Sequence, residues 1–375
     1  MSEDATPWSA TDAAIHDTLR ELLEAGRVAA VATVVDVDGS AYRRPGAKMV
    51  VPAEGDQLGA ITAGCLEGPV ADLAAEVRAS GEARLETYDL TDDEGWGMGM
   101  GCNGIITVLV EPVDESLAPM LEAVAAHRSV AVLTRLDDGA RAVLADDGTV
   151  TTAEPRPDLP TAVVEAVRDR AAELRAAGQA GTVTVETETG EHRVFVDGVR
   201  PAPELLVVGS QPDVNPVAHL ARAVGYRVTV AATRGNVDPE RFPAADRVDH
   251  VRAPDVDTAV AAPAHTAAVV MTHNFVDDRM AVEALLETAV PYIGLMGPRE
   301  RFEEMQAEWA AEGGVDPAAV DRIATPVGLD LGGGAPMEIA LSIVAEVVAD
   351  RHGRDGGRLT DREGPIHPRL SEQLD

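Results

Sequence analysis

Residues 39–49 read Gly39-Ser40-Ala41-Tyr42-Arg43-Arg44-Pro45-Gly46-Ala47-Lys48-Met49. A hydroxyl, two guanidinium groups and an ammonium fall within nine residues, and two glycines permit close backbone approach. Guanidinium forks suit phosphate or a planar polar ring, and an ammonium adds a compact charge. Ser40, Arg43, Arg44, Gly46 and Lys48 are therefore candidate ligands of an anion or a cofactor phosphate. A hairpin loop with incidental charges is the plainer alternative. Of the 31 basic residues 30 are arginine, and Lys48 is the one lysine, which favours the functional reading.

The chain has two cysteines. The first lies in Ala63-Gly64-Cys65-Leu66-Glu67-Gly68. A helix starting near Leu66 puts Cys65 at its N-terminus, where the dipole and free N–H groups favour a thiolate. A thiolate ligates a soft metal or carries sulfur. Gly64 and Glu67 complete this candidate site, although an acid in the first turn suits the dipole on any reading. For Cys65 the alternative is a small buried hydrophobe. The second, Cys102, sits in a run with glycines at 97, 99, 101 and 104, which reads as backbone brought close to a ligand or as simple flexibility. The cysteines are separated by 37 positions (65 to 102), with no Cys-x-x-Cys pair, which argues against zinc.

Two further candidates fall in the second half. Gly209-Ser210-Gln211-Pro212-Asp213 follows an apolar strand, where a dinucleotide fingerprint would put glycines at 209, 211 and 214. Gln211 and Val214 occupy the last two, and a bulky second position obstructs a pyrophosphate. His273 stands in Thr272-His273-Asn274, at the carboxyl end of another strand, where open α/β sheets bind ligands.

The elements that position these residues follow from periodicity. Apolar spacing predicts a helix over 9–26, strands over 28–35, 48–51 and 57–62, a helix over 66–80 and a strand over 105–110. Turn-rich 36–45 separates the first two strands. Helices near 117–127 and 161–177 alternate with strands near 130–135, 141–145, 182–187 and 192–196, the last two joined by a hairpin signal at 188–190. Two prolines within 199–203 mark a boundary. From there strands at 205–208, 227–231, 267–271 and 292–295 alternate with helices, the pattern of a doubly wound parallel sheet. The expected domains are 1–200 and 201–355, with a mobile tail over 356–375.

The net charge of −33, from 64 acids against 31 bases, repels nucleic acid. Acids spread along the whole chain read as a surface suited to high salt, hence a halophilic host. The longest apolar runs fall far short of the roughly 20 residues of a membrane span. The acidic first residues lack a secretory pattern, and two free thiols suit a reducing cytoplasm.

These motifs together resemble the XdhC/CoxI family of xanthine dehydrogenase accessory proteins. In the first domain the resemblance rests on GSAYRRPGAKM (39–49), AGCLEG (63–68), GCNG (101–104) and VLVEP (108–112). In the second it rests on LLVVGS (205–210), GYRVTV (225–230), RFPAAD (241–246), YIGLMGPRER (292–301) and the run over 326–349. It implies an N-terminal α+β cofactor-handling domain followed by a Rossmann-like domain, usually as a homodimer. It also implies binding of molybdenum cofactor, support for its sulfuration, and insertion into a molybdenum hydroxylase such as xanthine or carbon monoxide dehydrogenase. A cysteine desulfurase is the further partner it suggests. The family's cysteines fall on Cys65 and Cys102, expected to contact molybdenum or the transferred sulfur, and its basic motif on Arg43, Arg44 and Lys48. Ala63 and Asn103 replace glycines that are frequent in the family. Gln211 replaces another, so NAD(P) is not expected. The alternatives are an NAD(P)-dependent oxidoreductase and an assembly scaffold without a cofactor site.

Overall fold

The computed structural model describes residues 7–91, 104–235, 237–364 and 366. The chain forms two compact units, Met1–Pro201 and Ala202–Asp375.

In the first unit, α1 (Asp12–Glu24) starts at Thr11, whose hydroxyl accepts from the Ala14 N–H. Its Ile15, Leu19 and Leu22 share one buried face. Then come β1 (Ala29–Gly39), β2 (Lys48–Pro52), β3 (Leu58–Gly59), α2 (Glu67–Ser80), β4 (Arg84–Asp89) and β5 (Gly104–Pro112). The strands form an antiparallel sheet in the order β3-β2-β1-β5-β4. Alternate residues of a strand face opposite sides. Ala30, Ala32, Val34, Met49 and Val108 therefore meet Val70, Ala74 and Val77 of α2 in one core. Ala29, Val31 and Val50 face the other way, onto α1.

Three departures from the sequence expectation occur here, one being that β3 is limited to Leu58–Gly59 where a strand over 57–62 is expected. β1 does not stop at Val35 but passes a bulge between Val34 and Asp36 and continues to Gly39, paired with the start of β5. Exposed Asp36 and Asp38 break the apolar run that periodicity follows, yet the ladder carries them. β4 is absent from the periodic pattern, because a mostly exposed edge strand has no apolar run.

The same unit continues through α3 (Ala118–Ala125), β6 (Val130–Arg135), β7 (Arg141–Ala145), β8 (Val150–Thr151), α4 (Thr161–Ala177), β9 (Ala180–Thr187) and β10 (Gly190–Val199). A second antiparallel sheet results, ordered β8-β7-β6-β10-β9, with the expected hairpin joining β9 to β10. Val130, Val132, Val143 and Val199 of this sheet share a core with α1, α3 and the outer face of the first sheet.

The second unit is α/β and doubly wound. It contains β11 (Glu204–Val208), α5 (Val214–Ala223), β12 (Arg227–Ala232), β13 (Arg247–His250), β14 (Thr266–Val270), α6 (Phe275–Leu286), β15 (Tyr292–Leu295), α7 (Arg299–Glu312), α8 (Pro317–Val320), β16 (Ile323–Ala324) and α9 (Pro336–Arg351). The sheet is parallel, in the order β13-β12-β11-β14-β15-β16, with one apolar core on each face. The order reverses between β11 and β14, as in a Rossmann-like sheet. Among the described residues no helix is long and apolar enough to cross a membrane.

Candidate functional site

Register brings the first unit's candidates to one end of its first sheet. Gly39 of β1 pairs with Gly104 of β5, Asp89 of β4 with Ile105, and Met49 of β2 with Gly59 of β3. The 40–47 loop, the 60–66 turn and the first residue of β5, Gly104, therefore all lie at the same end of the sheet. Gly104 lies so close to this loop that an added Cβ would sit 2.5 Å from the Ser40 carbonyl oxygen. Cys102, two positions upstream of Gly104, lies outside the described residues.

Within the loop, Ser40, Tyr42 and Arg44 are exposed and Arg43 is half-buried. Val34 pins the loop's base: its N–H donates to the Ala47 carbonyl and its own carbonyl accepts from Gly46. Gly46 has φ +95°, and a Cβ there would meet the Ala180 Cβ at 3.0 Å. Backbone conformation and packing against β9 thus account for this glycine.

The Cys65 turn is built on Thr62 and Glu67. Thr62 donates its N–H to Glu67 Oε1 at 2.8 Å and its hydroxyl to Oε2 at 2.6 Å. The N–H groups of Gly64, Cys65 and Leu66 converge on Thr62 Oγ1 at 3.2–3.3 Å, and Leu66 also donates to Glu67 Oε2. The donors expected to be free at this helix start are thus engaged, and buried Glu67 faces inward as their counterpart. Leu66 caps α2, so Cys65 lies one residue before the cap. Its thiol is free and half-buried. Cys65 and Ala41 of the neighbouring loop pack against the same core, which joins turn and loop.

Lys48 departs from the expectation that it lies with the cysteines. Met49, its neighbour, enters the α2 core, so the pleat turns Lys48 to the opposite face of the sheet. There its ammonium pairs with Asp197 Oδ2 of β10 at 2.5 Å and donates to the Gly46 carbonyl at 3.1 Å. Both side chains are about one-seventh exposed, at 15% and 13%. Nearby, Arg141 grips both oxygens of Glu111 at 2.7 and 2.6 Å and donates to Ser116 and Thr134. These two ion pairs line a cavity of about 30 Å³ between the sheets, room for about two waters. Burial, and then the Lys48 ammonium, lower the His16 pKa from 6.5 to about 4. Periodicity passes over Glu111 and Asp197. Their one sequence signal is a lone acid inside an apolar run, in VLVEP and VFVDGV.

In the second unit, Gly209 is required by close strand packing: a Cβ would lie 2.8 Å from the Met271 carbonyl oxygen. At the reversal of strand order, His273 Nε2 meets Asp213 Oδ2 at 2.6 Å, linking the loops that follow β14 and β11. His273 has φ +60°, unusual for a residue with a Cβ. Beneath it, buried Asp278 accepts from the Thr272 N–H at 3.0 Å and pairs with Arg301, while burial pushes its carboxyl pKa up.

Comparison with known proteins gives a consistent result. A model of the XdhC Rossmann domain matches residues 205–347, and a model of the XdhC and CoxI family matches residues 22–89. A Bacillus subtilis relative, described as a probable xanthine dehydrogenase subunit, is 30% identical over 346 residues, covering 90% of this chain and 97% of its own. The Escherichia coli molybdenum cofactor insertion chaperone PaoD is 26% identical over 333 residues, 88% of this chain and 86% of its own. A crystal structure from Bacillus halodurans, described as a xanthine dehydrogenase, matches with a TM-score of 0.73 at 28% identity and covers 94% of this chain and 98% of its own. The same two-part match appears in motifs, in family models and in a full-length relative: the chain belongs to the XdhC and CoxI family.

Proposed function

We propose that this chain is a maturation factor that binds molybdenum cofactor, supports its sulfuration and passes it to a molybdenum hydroxylase. One observation carries the reading. In a chain with 64 acidic residues, the side chains of the adjacent Arg43 and Arg44 make no ion pair or hydrogen bond among the described residues. They stand at the same sheet end as a half-buried free thiol. Unpaired guanidinium groups beside a soft sulfur fit a ligand that carries both a phosphate and a sulfur-ligated metal.

In this reading residues 1–200 handle the cofactor. Arg43, Arg44 and the Ser40 hydroxyl hold the phosphate end. Gly64 leaves open space beside the thiol turn, and Cys65, with Cys102, contacts molybdenum or incoming sulfur. The bound cofactor supplies the metal whose oxo ligand is exchanged for sulfide. Gly46 and Lys48 shape the loop instead of touching the ligand, and Glu67 holds the turn. Gly209 and His273 organise the strand crossover of the second unit, over 201–355. The reading extends to a homodimer in the cytoplasm of a salt-adapted host, served by a cysteine desulfurase, with xanthine or carbon monoxide dehydrogenase as client and no use of NAD(P).

Cys65→Ala tests it. The variant should fold with an unchanged melting temperature and yield client enzyme that contains molybdenum but lacks the sulfido ligand, with activity reduced at least tenfold. A fully active hydroxylase from such a strain removes Cys65 from the mechanism.

A further inference from the structure

Tyr42 belongs to the loop between β1 and β2, next to the unpaired Arg43 and Arg44. Trp8 belongs to a single 3-10 turn, Pro7–Ser9, that packs near β3, the strand leading into the Cys65 turn. The two rings meet with centroids 5.8 Å apart and planes tilted by 34°. Neither is buried: Trp8 is 41% and Tyr42 59% exposed. Both facts stand out in this chain. Aromatic residues are 3% of it, and the other three tyrosines, Tyr88, Tyr226 and Tyr292, are all buried, as is Trp309. Two chain segments thus bring rare rings together and leave them in water, where apolar surface is unfavourable. Exposed aromatic rings in contact, beside guanidinium groups that are unpaired among the described residues, make a platform for a flat heteroaromatic ring that carries an anion. The charge of −33 disfavours nucleic acid as that ligand.

We infer that Trp8 and Tyr42 form a stacking platform for the flat pyrimidinone ring of the ligand's pterin, with Arg43 and Arg44 taking its phosphate. The inference rests on the cofactor-binding reading above, and assigns the ring-recognising residues within that site. A protein segment of the client is the competing occupant.

The test uses the full chain co-produced with molybdenum cofactor, and reads pterin retained per chain from its fluorescence after oxidation. Pterin-6-carboxylate serves as a titration probe for the same variants. Stacking contacts lose about tenfold or more in affinity on truncation to alanine. Trp8→Ala and Tyr42→Ala should therefore retain about tenfold less pterin and bind the probe correspondingly weaker. Trp8→Phe and Tyr42→Phe, which keep a ring, should stay near the parent. Unchanged thermal melting separates this loss from misfolding. Retention by the parent with no loss in either alanine variant overturns the platform and leaves the cofactor reading standing. Loss of client binding with pterin retention intact also overturns it, in favour of a protein contact. No pterin on the parent chain defeats the cofactor reading itself, and the platform with it.

Discussion

Arg43 and Arg44 lie within six residues of Lys48, in a segment that reads as a single basic cluster. Folding separates them. Lys48 is nearly buried against Asp197 on the face of the sheet toward the second sheet. The two arginines stay unpaired among the described residues, at the sheet's end. The difference is one of pleat and loop. Lys48 has entered β2, where alternation assigns its side, whereas residues 40–47 are free of the ladder apart from the Val34 contacts. Charge buried between the sheets therefore organises the fold, and charge left on the loop is available to a ligand.

The buried side should break first. Glu111→Ala leaves the Arg141 guanidinium uncompensated between the sheets, and is expected to lower unfolding free energy by about 3–5 kcal/mol. Urea unfolding followed by circular dichroism reads this directly, and a change below about 1 kcal/mol would show that the pair is not structural.

Acid should probe the same interior. His16 is held neutral by burial and then by Lys48, against the opposing pull of Asp12, Asp197 and Asp17, with its pKa lowered from 6.5 to about 4. The unfolded chain then binds a proton that the folded chain refuses. The stability is fully present above pH 6.5 and is lost as pH falls toward about 4, by about 3 kcal/mol. His16→Leu should flatten this slope in melts between about pH 7 and about pH 4.5.

Lys48 gives the sharpest contrast. Lys48→Met strands Asp197 and should cost about 2–3 kcal/mol. Adding Asp197→Leu should restore most of that loss, and pterin retention in the double variant should equal the parent's. Lost retention in a stable double variant would return Lys48 to the binding site. On the open side the stability effects are smallest. Arg43→Ala and Arg44→Ala should shift unfolding by less than about 0.5 kcal/mol while retained pterin falls several-fold. A large loss of stability would mean that the loop arginines, like Lys48, serve the fold.

Much of this architecture is legible in the amino-acid pattern. Long apolar runs such as Ile105 to Val110, and strand–helix alternation after Pro203, mark their elements because buried segments need no partner-specific signal. The edge strands β4, β13 and β16 escape the same reading, since exposed or very short strands are held by pairing and carry little hydrophobic pattern. At the candidate site, residue types are informative and directions are not. Cys65, Arg43 and Arg44 are picked out by chemistry, while Trp8 carries no motif and reaches Tyr42 only through the folded chain.

Periodicity therefore determined the two-part α/β plan, the motif resemblance pointed to the family, and residue chemistry picked out the candidates for meeting a phosphate and a soft metal. Tertiary structure decided which of them are taken up by internal partners and which are not, among the described residues. The Asp197 contact spans 149 positions, and no local spacing encodes a pairing that arises when two sheets close over one core. That closure took Lys48 inside and left Arg43, Arg44 and Cys65 at the sheet's end.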